Sequence, residues 1–119
     1  MRLEDLEVYR LTREISRDGW TIYDAMDWQT KKVIGDQFIT AIDSIGANVA
    51  EGFGRFHYLD KNKFNYNARG SLFESKHWTE ILIERGKMDQ EEGAILLARL
   101  DKLGVKLNNY ITITKQQPK

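Results

Sequence analysis

Glu74-Ser75-Lys76-His77 is the one Glu-x-x-His in the chain, a carboxylate three residues before an imidazole, the spacing that puts both on one helix face. Di-iron and di-manganese bundles use two such Glu-x-x-His motifs together with two further inward carboxylates. The chain has only two histidines, and the residue three before His57 is Gly54. A second motif is therefore missing, and no metal site is expected within one chain. Cysteine is absent, which removes disulfides, thiolate zinc sites and a cysteine nucleophile. Gly52-Phe53-Gly54-Arg55 lacks the Lys-Ser/Thr ending of a phosphate loop, and no strand precedes it. No Arg is followed five residues later by His, the arrangement of one group of helical ribonucleases. The chain is expected not to be an enzyme, with no catalytic residues and no cofactor.

Ser44, Asn48 and Glu51 step by four and three and so share a helix face. Arg69, Ser71 and Glu74, on the following helix, are positioned to meet them. A carboxylate–amide–hydroxyl set without His or Cys has no evident nucleophile. Ser44, Asn48, Glu51, Ser71 and Glu74 are therefore expected to form a hydrogen-bonded network that fixes helix register, since buried polar groups need partners. The same helix carries small residues four apart at Gly46, Ala50 and Gly54, beside Ala47, and the next offers Ala68, Gly70 and Ser71. An interior glycine costs about 1 kcal/mol against alanine, so close helix packing is expected to offset it.

The loop Gly52-Phe53-Gly54-Arg55-Phe56-His57-Tyr58 places Arg55 and His57 among three aromatic rings. That composition stacks on bases and contacts phosphate. Lys61, Lys63, Arg69 and Lys76 carry the basic character onward, and with Arg55 they form the candidate nucleic-acid-binding set. The competing reading folds the aromatics back over the bundle end as core. Net charge is zero, from 18 basic and 18 acidic residues, which speaks against a strong nucleic-acid binder. The distribution is uneven: residues 61–88 sum to +3 and residues 1–30 to −3.

The elements that must position these residues are helices. Residues 1–119 read as one all-α domain, an antiparallel up-and-down four-helix bundle with helices at about 3–27, 31–53, 60–85 and 89–114. In the first, Val8, Leu11, Ile15, Gly19, Ile22 and Met26 recur at steps of three and four. Thr30 is the predicted cap of the second, whose stripe runs Ile34, Phe38, Ala41, Ile42, Ile45 and Val49. Gly52 and Gly54 end it by permitting left-handed conformations. Asp60 is the predicted cap of the third, with Phe64, Ala68, Leu72, Ser75, Thr79 and Leu82 inside and Gly86 as its stop. Asp89-Gln90-Glu91-Glu92 reads as a capping box opening the fourth, which buries Ala94, Leu97, Leu100, Gly104, Leu107 and Ile111. A polar tail follows from Lys115. No apolar run reaches the roughly 18–20 residues of a membrane span, and the acidic, amphipathic start is unlike a signal peptide. A cytoplasmic protein is expected.

The run from Gln37 to Glu74 resembles the four-helix-bundle proteins encoded in 23S rRNA intervening sequences. The resemblance rests on Ser44-Ile45-x-x-Asn48-Val49-Ala50-Glu51-Gly52, then Arg55, Phe64 and Ala68-Arg69-Gly70-Ser71-Leu72-x-Glu74. The opening Leu3-Glu4-Asp5-Leu6-Glu7-Val8-Tyr9 is similar to the family's start, so the match covers nearly the whole chain. It implies a left-handed antiparallel bundle that assembles as a homopentamer. It also implies kinship with the accessory variability proteins of diversity-generating retroelements, which associate with a reverse transcriptase and bind nucleic acid. Those proteins are basic, whereas this chain is neutral. The function expected is a non-enzymatic oligomeric binding protein, associated with RNA or with a nucleic-acid-bound protein. The alternative is a protein–protein interaction scaffold without nucleic-acid affinity, anchored on exposed Trp20, Trp28 or Trp78.

Overall fold

A computed structural model of the chain describes residues 1–116. A short 3₁₀ turn, Leu3–Asp5, leads through extended Leu6 into helix α1, Glu7–Asp24. Helix α2 covers 28–53 without a break. It opens with an α-helical turn at Trp28–Thr30, widens to a π-helical segment at Lys31–Gly35, and continues as Asp36–Phe53. Helix α3 is Tyr58–Glu84 and helix α4 is Gln90–Lys115. Each helix packs on the one before it, and α4 closes the ring against α1. Short connections force antiparallel neighbours, and the product is a rod of 48 × 22 × 21 Å. It is an all-α four-helix bundle, with no strand among the described residues.

The core is built by period-3.6 stripes. Phe38, Ile42, Ile45 and Val49 of α2 face Leu96, Leu100, Leu103 and Leu107 of α4, all essentially without solvent contact. The buried face of α3 is different in kind: Asn62, Asn65, Ala68, Leu72, Ser75, Thr79 and Leu82. Small side chains there let α2 and α4 approach closely. The hydroxyls are satisfied within their own helix, Ser75 donating to Ser71 O at 2.8 Å and Thr79 to Ser75 O at 2.7 Å.

Several predicted boundaries and stripes move. Helix α1 starts at Glu7 and ends at Asp24, since extended Leu6 separates it from the 3₁₀ turn. Asp27, not Thr30, caps α2: its Oδ1 accepts from the Thr30 amide at 2.8 Å, and Thr30 itself is buried in the first turn. That amide holds the Asp27 carboxyl below the usual carboxylate range. Helix α3 starts earlier than predicted, with extended His57 as its cap residue and Asp60 in the first turn, where its charge favours the N-terminal dipole.

Gly54 ends α2 in a right-handed conformation, so left-handed freedom is not what Gly52 and Gly54 supply. Gly52 instead admits the next helix, since a Cβ there would lie 2.9 Å from Lys61 O. Gly86 behaves as predicted, with φ +70. Around it Lys87 N reaches Leu82 O at 2.8 Å and Gly86 N reaches Ile83 O at 3.0 Å, the paired bonds of a Schellman stop. Asp89 caps α4 by accepting from Glu92 N at 3.1 Å. Helix α4 buries Leu100, Leu107 and Ile111 of its predicted stripe, but Leu96 and Leu103 are buried in place of Leu97 and Gly104, which are half-buried, and Ala94 is exposed. The predicted polar tail lies, beyond Gln116, outside the described residues.

Candidate nucleic-acid interface

Four residues, 54–57, join α2 to α3 at one end of the rod. Phe56 at its crest is 88% exposed, so its ring does not fold back over the core. The His57 ring meets it edge-on at 5.1 Å, and Arg55 beside it pairs with Glu51 one turn back at 3.3 Å. That pair sits in water, where such bridges contribute about 0–1 kcal/mol and exchange readily. Phe53 does turn inward against the core, while Tyr58 is half-buried. The expected aromatic loop therefore divides into one exposed ring and two sheltered ones.

The predicted cations differ in how firmly they are held. Lys61 donates to Phe53 O at 3.0 Å, closing a carbonyl at the end of α2. Arg69 donates to Asn108 of α4 at 3.2 Å and lies 5.0 Å above the Tyr66 ring. Lys76 pairs with Asp101 of α4 at 2.6 Å and lies 5.8 Å from the centre of the Phe73 ring. Arg55 also covers Phe64 at 4.8 Å. Lys63 is exposed, and alone of the five it makes no polar contact among the described residues. Helix α3 thus lays much of its basic character across its own aromatic rings and its neighbours, with Lys63 and the loop left facing water.

The five residues expected to form one polar network are not drawn together. Asn48 donates to Ser44 O at 2.9 Å along α2, and Glu51 turns to Arg55. Glu74 accepts from Trp78 Nε1 at 3.1 Å along α3, and Ser71 contributes its backbone carbonyl to Ser75. Each finds a partner one turn away, which a helix surface offers at no cost in register. His77 likewise meets Trp78, ring centres 4.8 Å apart, so the Glu-x-x-His motif is spent on an indole. Among the described residues no three His, Cys, Asp or Glu converge.

Two polar groups that do cross between helices escaped the sequence reading. Asp43 of α2 accepts from Ser16 Oγ at 2.5 Å and Trp20 Nε1 at 2.8 Å, clamping α1 to α2. Asn62 of α3 donates to Ile111 O of α4 at 3.2 Å and accepts from Asn65 at 3.0 Å. Asn65 Oδ1 has no hydrogen-bond partner and faces Gly52. The spacing of Asn62 and Asn65 with Ala68 and Leu72 was a usable signal, since it places both amides on the core stripe.

With this geometry in view, the comparisons with known proteins are specific about lineage. The model of the 23S rRNA-intervening sequence protein family matches residues 4–109. A solved structure from Bacteroides thetaiotaomicron, described as a protein of unknown function from the S23 ribosomal protein family, superposes with a TM-score of 0.82. It is 21% identical, and the alignment covers 87% of this chain and 97% of that one. No curated protein matches the chain.

Proposed function

The chain belongs to the family of 23S rRNA-intervening sequence proteins, and on that premise we propose that it is a non-enzymatic, self-associating binding protein that engages RNA or a ribonucleoprotein. The observation that carries the RNA contact is the Phe56 ring, 88% exposed between Arg55 and His57. A bare aromatic ring costs free energy in water and is suited to stacking on an unpaired base, which contributes about 1–3 kcal/mol per base. Arg55 exchanges its surface carboxylate for phosphate, and Lys63 adds a second cation one helical turn into α3. Arg69 and Lys76, held by α4, play the smaller part. Repetition of so small a patch in a homo-oligomer, a pentamer by family resemblance, offsets weak binding per subunit through avidity. No helix among the described residues is long and apolar enough to cross a membrane. The setting proposed is the cytoplasm.

Titration of a labelled single-stranded RNA with the native chain, Phe56→Ala and Arg55→Ala tests this. A roughly ten-fold loss of affinity for Phe56→Ala is expected from the stacking term. Equal affinity of all three proteins contradicts the loop as the contact. The second reading, a protein–protein scaffold without nucleic-acid affinity, is favoured by zero net charge and by the cations laid across α3 and α4. It predicts no RNA binding even at low salt.

A further inference from the structure

The start of α2 and the turn from α3 to α4 meet at the end of the rod away from the 54–57 loop. A cleft of about 280 Å³ opens between them, lined by Gln29, Thr30, Val33, Ile34, Arg85 and Lys87. Pockets that enclose a drug-sized molecule run from roughly 300 to 1,000 Å³, so this one suits a side chain or two of a larger partner. Thr30 and Ile34 are buried and form its floor, while Val33 at its edge is 60% exposed. The π-helical segment Lys31–Gly35 produces this arrangement, burying Ile34 and Gly35 side by side and leaving Val33 outside. Irregular helix of this kind is frequent at functional sites.

The lining carries two cations and no carboxylate. Arg85 and Lys87 stand on either side of Gly86, and neither side chain makes a hydrogen bond or an ion pair among the described residues. Lys87 is near enough to Asp27 to favour that carboxylate's charged form, yet forms no ion pair with it. Three carboxylates at this end are already accepting hydrogen bonds: Asp27 from the Thr30 amide, Asp89 from the Glu92 amide and Asp36 from Tyr23. The clefts beside α1 lack this imbalance. Asp18 pairs with Arg99 across one, and Glu4 and Glu14 stand among the arginines of another.

An apolar floor with unpaired cations at its rim fits an apolar side chain flanked by carboxylates. Trp28, the residue before Gln29, is 73% exposed, and tryptophan and arginine are among the residues enriched where protein partners are anchored. A nucleic-acid base finds less here. No aromatic ring lines the cleft, and Lys32 already lies 5.1 Å over the Trp28 ring.

We propose that this end of the bundle docks an acidic segment of a partner protein. An apolar side chain of that segment seats against Val33 and Ile34, and its flanking carboxylates meet Arg85 and Lys87. The site shares no residue with the RNA contact and lies at the opposite end of the rod, so it stands independently of that contact.

A synthetic peptide carrying two Leu between Glu residues is the probe, titrated into the full chain and followed by amide NMR. Shifts are expected at residues 29–34 and 85–87. Gln in place of the peptide's Glu, or Ser in place of its Leu, is expected to weaken binding about ten-fold. Combining Arg85→Ala with Lys87→Ala is expected to cost about ten-fold in affinity, as the loss of two exposed ion pairs does. Val33→Glu, which sets a like charge against the peptide, is expected to abolish binding. All three side chains are exposed, and native thermal midpoints in these variants separate a lost contact from a lost fold. Single-stranded RNA is expected to leave the cleft signals unmoved. No binding of the peptide, or affinity unchanged in the variants or with either altered peptide, overturns the docking site. RNA that moves the cleft signals assigns the cleft to RNA and overturns it as well.

Discussion

At the scale of single residues, the contacts that join helices are few and identifiable. Asp43 takes two hydrogen bonds from α1, from Ser16 and Trp20. Asp43→Ala is expected to lower stability by about 1 kcal/mol, below the roughly 1.5–3 kcal/mol of hydrogen bonds to a charged group because the site is exposed. Urea denaturation measures this, and an unchanged midpoint would contradict it. Ser16 and Trp20 lie one turn apart and visibly share a face, but nothing in the sequence pairs that face with an aspartate 23 residues further on. Asp27 gives a pH dependence of defined sign. The Thr30 amide it accepts from holds its carboxyl below the ordinary value. The cap's contribution is therefore fully present above the unfolded carboxyl's range, near pH 4, and is lost as pH falls through the folded value. Tyr23 runs the other way. Its hydroxyl donates to Asp36 at 2.5 Å, which raises its pKa. That bond's contribution is complete below the unfolded tyrosine range, near pH 10, and is lost as pH rises beyond it. Replacing Asp27 with Asn should flatten the acid limb of a stability profile, and Tyr23→Phe the alkaline limb.

At the scale of elements, glycines with the same appearance in the sequence do opposite things. Gly52 is buried, and a Cβ there would sit 2.9 Å from Lys61 O and 3.1 Å from the Phe64 Cβ. Gly52→Ala should separate α2 from α3 and cost about 1–3 kcal/mol, as overpacking does. Gly70→Ala, with open space around it, should raise the stability of the folded chain by about 1 kcal/mol. Thermal midpoints of the two variants should therefore move in opposite directions, and a shift of the same sign in both contradicts the division. Helix existence was legible because apolar residues recur at 3.6, and helix ends were legible where Gly86 and Asp89 mark them. The start of α2 was not, because Asp27 and Thr30 are both good cap residues and only the geometry assigns the carboxylate to the amide. The burial of Leu96 in place of Leu97 in α4 was hidden for a similar reason. Leu96 and Leu97 are adjacent, and either one continues a three-and-four stripe.

At the scale of the whole molecule, the bundle followed from four amphipathic segments with short connections, and the family match over residues 4–109 agrees with it. The candidate interface was legible only as a composition. Sequence places Arg55, Lys61, Lys63, Arg69 and Lys76 in one basic, aromatic stretch. It does not reveal that Asn108 and Asp101, more than 20 residues later, would claim two of those cations. The remaining exposed elements, Phe56 with Arg55 and His57 at one end of a 48 Å rod, are few, which is why the proposed RNA contact calls on repetition in an assembly. Binding by so few charges should be modest in its salt dependence, since the slope follows the number of phosphates neutralised.

The most direct measurement is an anisotropy titration of the native chain against single-stranded RNA, structured RNA and duplex DNA at two salt concentrations. The expected result is binding that weakens with salt and prefers RNA with unpaired bases over duplex DNA, as stacking on Phe56 requires. No binding to any of the three at the lower salt would contradict RNA recognition and turn the search to a protein partner.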